Sequence, residues 1–576
     1  MNRTTKQPQF SKDWLTLFEK SNQQSSPSYQ ETISYFNKFE DKTPYAKMFT
    51  IGISPQGREL KCLIVAGNEE FTFEKAKKSG KAIVLIQNGI HSGEIEGKDA
   101  CMLLLRDILV TKEKFNLLKN LVLLIIPVFN VDGHERLSQF NRPNQNGPLM
   151  MGWRTTSHNL NLNRDYMKAD SVEMKAWLKL FSDWLPDFMI DNHTTNGADY
   201  QYHVTYGLER KANISNHLSS WINGRYLPYL IKKVEKDGFL TTRYIEFKND
   251  KLMAGIIDYP MLPRFSTGYC AVQNRICLLV ETHSLKPFDN RVFSTKSMMT
   301  HTIDFINRNH HELISLNKKA DNHTINYHYN KGKVLPVDFE DTGKHASFSF
   351  KGFESFEEDS EITGNELLRY TNKPIVVDVP LYNKTRVKFA VNVPKAYLIP
   401  KEFSRLAEIL NLHGIKCYVL SSSMKMTVDR YKFVNDQFVP RPYEGKQQVT
   451  FDVIPFTEKI KVPKGTIVVR TNQRTLRVIA NLLEPMAPDS FVRWGFFNSF
   501  FERKEYVEVY VMEPIAKQML KDNQKLRDEF HSKLDSDENF RNDSLERLDF
   551  FYRKSPYFDK DEKVYPIMRV NEKILL

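Results

Sequence analysis

No apolar run in the 576 residues could cross a membrane. The longest, Leu121–Phe129, has nine residues and is broken by Pro127, where a spanning helix needs about 20. Cysteine is scarce. Cys62, Cys101, Cys270, Cys277 and Cys417 lie far apart and form no CxxC pair, which excludes a disulfide framework and cysteine-ligated zinc. Those inside apolar runs read as small core residues. The chain is basic, with a net charge of +12, but it has no arginine-rich tract and its acids are interleaved with its bases. Nucleic-acid binding, which needs a clustered basic footprint, is therefore not expected. The opening MNRTTKQPQFSKDW holds no apolar leader core, so the expected compartment is the cytoplasm, or outside it if a leader has been removed. A GxSxG nucleophile elbow is also missing. GEIEGKD imitates a phosphate loop, but it has one residue too few between its glycines and carries Asp99 where Ser or Thr would hold magnesium.

What is present is the composition of a globular protein, 41% hydrophobic and 26% charged, on a chain too long for one ordinary core. Strands are expected at Tyr45–Ile51 and Leu60–Ala66, and buried strands at Ala82–Ile86, Leu121–Val128, Phe188–Ile190 and Ile276–Val280. Helical patterns at Gly97–Val110, Ser171–Leu185, Asn213–Asp237 and Phe293–Leu316 alternate with them. This alternation predicts an α/β fold, a mixed and largely parallel sheet sandwiched by helices. The polar stretch Asn317–Lys333 reads as a linker. Beyond it come short alternating strands such as Pro374–Val379, Lys388–Val393, Gln448–Val453 and Tyr506–Val511, with helices at Lys401–Leu412 and Pro514–Leu534. The expected organisation is a catalytic domain over residues 1–325 and a strand-rich α+β accessory region, of one or two domains, over 331–576. Trp494 and the aromatic run Phe496–Phe501 are expected to pack in a core, with a place on the rim of the site as the sharper alternative.

Four strands of the first half end in polar chemistry: one in His91 and Glu94, one in Asn130 and Asp132, one in His193 and one in Glu281. In open α/β sheets, ligands bind beyond the carboxyl ends of the strands. Two histidines and a glutamate form a catalytic zinc set that leaves a coordination position for water. His91-x-x-Glu94 alone is weak, but its position at a strand mouth and the third donor, His193, sharpen it.

The segments IHSGEIEG, IPVFNVDG, GWR, NLNRDY, IDNHTTNG and VETH resemble, in order, the signatures of the zinc metallocarboxypeptidase family (the funnelins) over about residues 45–305. The resemblance implies one zinc per chain held by His91, Glu94 and His193, and Glu281 as the general base that takes a proton from the attacking water. It implies Arg154 as the oxyanion cation, with Arg142 in the same loop able to compete. It also implies Asn163 and Arg164 as the grip on a substrate's free carboxylate, a task that suits the planar guanidinium fork. The implied activity is release of C-terminal residues from a peptide. The alternative is a zinc amidase or deacylase acting on acylated amino acids or peptidoglycan stem peptides. The family's substrate-covering tyrosine finds no match in Tyr259 or Tyr269. His203 and His283, near the expected site, read as packing or exposed residues before any outer role.

Overall fold

The computed structural model describes residues 10–195, 197–572 and 574. The first nine residues, part of the stretch read above for a leader, lie outside the described residues. An eight-stranded mixed sheet organises the first half. In chain order its strands are β1 (Ala46–Ile53), β2 (Glu59–Ala66), β3 (Ala82–Asn88), β4 (Leu121–Ile126), β5 (Phe188–Thr195), β6 (Val204–Gly207), β7 (Thr241–Arg243) and β8 (Ile276–His283). In space they run β1-β2-β4-β3-β5-β8-β6-β7. The central four, β4-β3-β5-β8, are mutually parallel, so all four release the chain at the same edge of the sheet.

Side chains alternate between the faces of a strand, and here both faces are covered. Ile83 and Leu85 of β3 join Val122, Leu124 and Ile126 of β4 beneath helix α2 (Val172–Trp184), where Met174, Trp177, Leu178 and Phe181 pack. Val84 and Ile86 join Leu123, Ile125, Ile190 and Leu278 beneath helices α1 (Glu96–Leu109) and α3 (Phe288–Thr324). Burial on both faces explains why these strands read as continuous apolar runs.

The second half is strand-rich, with a long antiparallel hairpin of Met424–Phe438 and Val449–Val462 inside a six-stranded sheet. Its Tyr397, Ile399, Leu406, Ile409, Leu410 and Phe433 belong to the same continuous core cluster as the α2 face of the first sheet. Trp494, Phe497 and Phe501 are buried, as core packing required. Among the described residues no helix is long and apolar enough to cross a membrane.

Three local expectations need correction. The stretch read as a linker from Asn317 continues α3 to Thr324 and then forms a π-turn over Ile325–Asn330. Leu313, Asn317, Ala320 and Thr324 recur at helical spacing and are buried, but half of them are polar. Asn317 Nδ2 donates to the Asp187 carbonyl at 3.1 Å, a compensation that an apolar pattern cannot reveal. Tyr506–Val511 is not a strand. Tyr506, Val509 and Tyr510 stay exposed, and helix Val509–Asp522 buries Met512 and Ala516 instead. The long helix expected from Pro514 breaks at Asn523, whose side chain accepts the Leu526 N–H and caps a second helix, Gln524–Ser536.

Candidate metal centre and active site

The turn from β3 into α1 carries His91 and Glu94. His193 lies on β5 directly opposite Glu281 of β8 in the parallel register, which puts the two side chains on the same face of neighbouring strands. One donor atom each from His91, Glu94 and His193 lies within 4.8 Å of the others, and all three residues are buried.

The hydrogen bonds orient the donors inwards. The Asn163 N–H donates to Asn161 Oδ1 at 3.0 Å, which identifies that atom as the amide oxygen. The same oxygen accepts from His91 Nε2–H at 3.0 Å. His193 Nε2–H donates to Asp191 Oδ2 at 3.0 Å. Both imidazoles therefore carry their proton on Nε2 and turn Nδ1 to the cluster, the arrangement that outer partners of metal-ligating histidines impose. His91 Nδ1 is buried with no hydrogen-bond partner, although Glu94 Oε1 is 3.1 Å away. An orphaned lone pair beside a carboxylate fits a cation, so the residues present suit a metal ion.

The two histidines titrate in opposite directions. Burial lowers the His91 pKa to about 4. Burial opposes charge on His193 as well, but Asp191, Glu94 and Glu281 outweigh it and hold that imidazole well above its ordinary value. The carboxylates that draw a proton to His193 would draw a cation equally. For Glu94, burial works against the charge, yet the nearby His91, Arg142 and His193 keep it well below the usual carboxylate range. Glu281 moves the other way. Burial, with Glu94, Asp191 and Glu96 nearby, raises it to about 8 against the pull of His193, and its Oε2 is buried without a partner.

Both arginines weighed above reach the cluster. Arg142 Nη2 lies 2.6 Å from Glu94 Oε1 and Arg154 Nη1 lies 3.4 Å from the same oxygen. Gly93 makes room for Arg142, since a Cβ there would stand 2.3 Å from Arg142 Cγ. The Arg154 backbone is held by Asn130 Nδ2, which donates to its carbonyl at 3.2 Å. The Arg154 guanidinium is depressed by burial and interacts electrostatically with Glu94, Arg142, Arg164 and Glu281 together. Arg164 stacks on Phe265 with its Cζ 4.4 Å from the ring centre.

Asp132, grouped with the strand-end chemistry above, stands apart from the metal cluster. It accepts from Ser54 and Ser157 and pairs with Arg58 at 2.8 Å. His283 and His203 are packing residues: His283 lies between Asp199 and the Tyr200 and Leu285 amides, and His203 Nδ1 accepts the Leu240 N–H. Tyr269 is fully buried against His413.

Residues 32–206 match the family described as zinc carboxypeptidase. The chain is an enzyme of the metallocarboxypeptidase type. The matched stretch spans His91, Glu94, Arg154, Asn163, Arg164 and His193 and stops before Glu281. The "Carboxypeptidase 2" proteins of Trichophyton tonsurans and Trichophyton rubrum are each 20% identical to it over 460 residues, 77% of this chain and 78% of theirs. Among solved structures, the metallo-carboxypeptidase from Burkholderia cenocepacia aligns at 16% identity and a TM-score of 0.37, over 49% of this chain and 70% of that one. The carboxypeptidase A from Helicoverpa armigera aligns at 16% identity and a TM-score of 0.36, over 51% and 73%.

Several residues around this site carried no sequence signal. Asn161 and Asp191 sit inside quoted motifs, yet nothing but the fold shows which ring nitrogen each one holds. Tyr244 lies within electrostatic reach of Glu281, Glu94 and Arg164. The segment leading to Arg264 and Phe265 is pinned by Glu209, which accepts the Met261 N–H at 2.6 Å.

Burial raises Glu209 from an ordinary 4.5 to about 7. An unfolded chain ionises this group from about pH 4.5, whereas the folded one holds the proton to about 7, so its effect on stability turns unfavourable as pH rises between those values. Glu209→Gln removes that slope. Relative to wild type, the variant should gain up to about 3 kcal/mol between pH 4.5 and 8, at 1.36 kcal/mol per pKa unit. Urea unfolding at both pH values measures the gain, and an equal offset at both would refute the assignment.

Proposed function

We propose that this protein is a zinc metallocarboxypeptidase that releases residues from the free carboxyl end of peptides. The observation that carries the reading is the clustering of donor atoms from His91, Glu94 and His193 within 4.8 Å of one another, with Glu281 opposite His193 on the next strand and Arg142 and Arg154 at 2.6 and 3.4 Å from Glu94 Oε1. A metal-donor set, a proton acceptor and two cations thus share one site. We assign His91, Glu94 and His193 as ligands to one zinc ion per chain. Zinc held there supplies Lewis acidity, polarising a carbonyl and making water a stronger acid.

This chain's own residues do the rest. Glu281 accepts the proton of the attacking water and passes it to the leaving amine, a role suited to a carboxyl of raised pKa. Arg154 faces the charge that develops on the carbonyl oxygen, while Arg142 stays on Glu94. Asn163 and Arg164 hold the terminal carboxylate. Residues 1–325 form the proposed catalytic part and 331–576 the accessory part.

The test compares a peptide with a free C-terminus and its C-terminal amide, each assayed with and without a zinc chelator. Chelation should abolish hydrolysis and added zinc should restore it. Arg164→Ala should cut kcat/KM on the free acid by roughly 10²-fold, the loss expected when one partner of a charged hydrogen-bonded pair is removed, and far less on the amide. Equal losses on both substrates would sink the carboxylate anchor and favour the amidase reading.

A further inference from the structure

We infer that the hairpin turn Tyr443–Lys446, supplied by the C-terminal half, is a working part of the active site. Tyr443 is a positioning residue that sets the Arg164 guanidinium so that its Nη1/Nη2 edge, and not its Nε edge, meets the substrate carboxylate. The inference deepens the assignment of Arg164 and rests on it.

An arginine meets a carboxylate either side-on, through Nε and one Nη, or end-on, through both Nη groups. Here Nε–H donates to the Tyr443 hydroxyl at 3.0 Å, and Nη1 spends one proton on the Asn163 carbonyl at 2.7 Å. Nη2 donates to no group among the described residues. Phe265 covers one face of the guanidinium. The side-on fork therefore loses its Nε–H to Tyr443, whereas Nη1 keeps one proton and Nη2 both for a carboxylate.

The turn is built for this position. Tyr443 and Lys446 exchange backbone hydrogen bonds of 2.9 and 3.0 Å, which leaves Glu444 and Gly445 as a two-residue loop at φ of 50° and 71°. Such loops favour Asn-Gly, and a glutamate in the left-handed region is disfavoured. Its carboxylate compensates by accepting the Asn161 N–H at 3.2 Å, and Asn161 is the residue that holds the outer nitrogen of His91. Lys446 Nζ lies 3.1 Å from Asp170. Behind the turn, the Tyr443 ring stacks on buried Trp494, with centroids 6.1 Å apart and planes at 17°. Trp494 Nε1 donates to Asp489, which pairs with Arg264 at 2.7 Å. The tyrosine ring is thus clamped from behind while its hydroxyl points at the anchor.

The experiment uses the full-length, zinc-loaded protein and the two peptides named above. Tyr443→Phe should raise KM for the free-acid peptide roughly tenfold, the loss expected for one hydrogen bond to a charged group, with kcat and zinc content nearly unmoved. In an Arg164→Ala background the same substitution should change KM little, because its effect runs through Arg164. An unmoved KM, a loss of kcat shared equally by acid and amide, or a full effect persisting without Arg164 would overturn the inference. If Arg164→Ala itself fails to separate acid from amide, the anchor falls and this inference falls with it. If Arg164→Ala separates them and Tyr443→Phe does not, only the role of Tyr443 falls.

Discussion

Glu281→Gln should lower kcat by about three orders of magnitude, within the range general acid–base catalysis supplies, while the protein still binds one zinc per chain. The substitution is close to isosteric, and it removes a carboxyl whose Oε2 makes no hydrogen bond, so little structural stabilisation is lost with it. What is lost is the ability to accept a proton. Burial raises this group to about 8, and a bound cation would pull it back down by favouring the charged form. A base works when deprotonated, so kcat/KM in the wild type should rise with pH along an acidic limb, and that limb should be missing from the residual activity of the variant. Metal analysis together with steady-state kinetics across pH decides the matter. A variant that keeps most of its activity, or one that loses its zinc, would break the assignment of Glu281 as base.

Deleting residues 331–576 should leave an insoluble or unfolded fragment rather than a smaller active enzyme. The α2 face of the first sheet shares its core with Leu406, Ile409 and Leu410 of helix Ser404–Leu412. Gly414, just past that helix, stands 3.4 Å (measured from an added Cβ) from Ser182 of α2. Buried His413 bridges the Met167 carbonyl and the Tyr269 hydroxyl at 3.1 and 3.0 Å. Arg477 Nη2 donates to the Asn213 carbonyl at 2.9 Å. Uncovering a large apolar side chain costs about 1.5–3 kcal/mol, against a whole-domain stability of about 5–15 kcal/mol. Uncovering Leu178, Phe181, Trp177 and Tyr269 together would cost about 6–12 kcal/mol on that scale, comparable to the whole. Expression of residues 1–330, followed by circular dichroism and a peptidase assay, measures the dependence. A soluble, active fragment would show that the shared core is dispensable.

The amino-acid sequence by itself determined the central architecture and pointed to the His91, Glu94 and His193 cluster. The strands β3, β4, β5 and β8 are buried on both faces, which forces continuous apolar runs, and each run ends abruptly in polar residues. That contrast is readable along one dimension, and it marked out His91, Glu94, His193 and Glu281 before any geometry was available. Local signals failed where polarity was paid for by a distant partner. Asn317 and Thr324 keep α3 helical through hydrogen bonds to Asp187 and Asn274, and Tyr506–Val511 has strand composition but no strand to pair with among the described residues.

Only the tertiary structure decided how the parts work together. The parallel register that sets His193 opposite Glu281, the outer partners Asn161 and Asp191, and the placing of Arg142 and Arg154 on one oxygen of Glu94 all depend on contacts between distant segments. The hydrogen bond from Arg164 to Tyr443 joins residues 279 positions apart, and Tyr443 lies in a region with no chemical motif of its own. A hydrogen bond is directional and short, so it leaves no periodicity in the sequence. His91 and Glu94 announce a metal site from the sequence alone, whereas the hydrogen bond that Arg164 donates to Tyr443 of the second half exists only once the two halves have packed together.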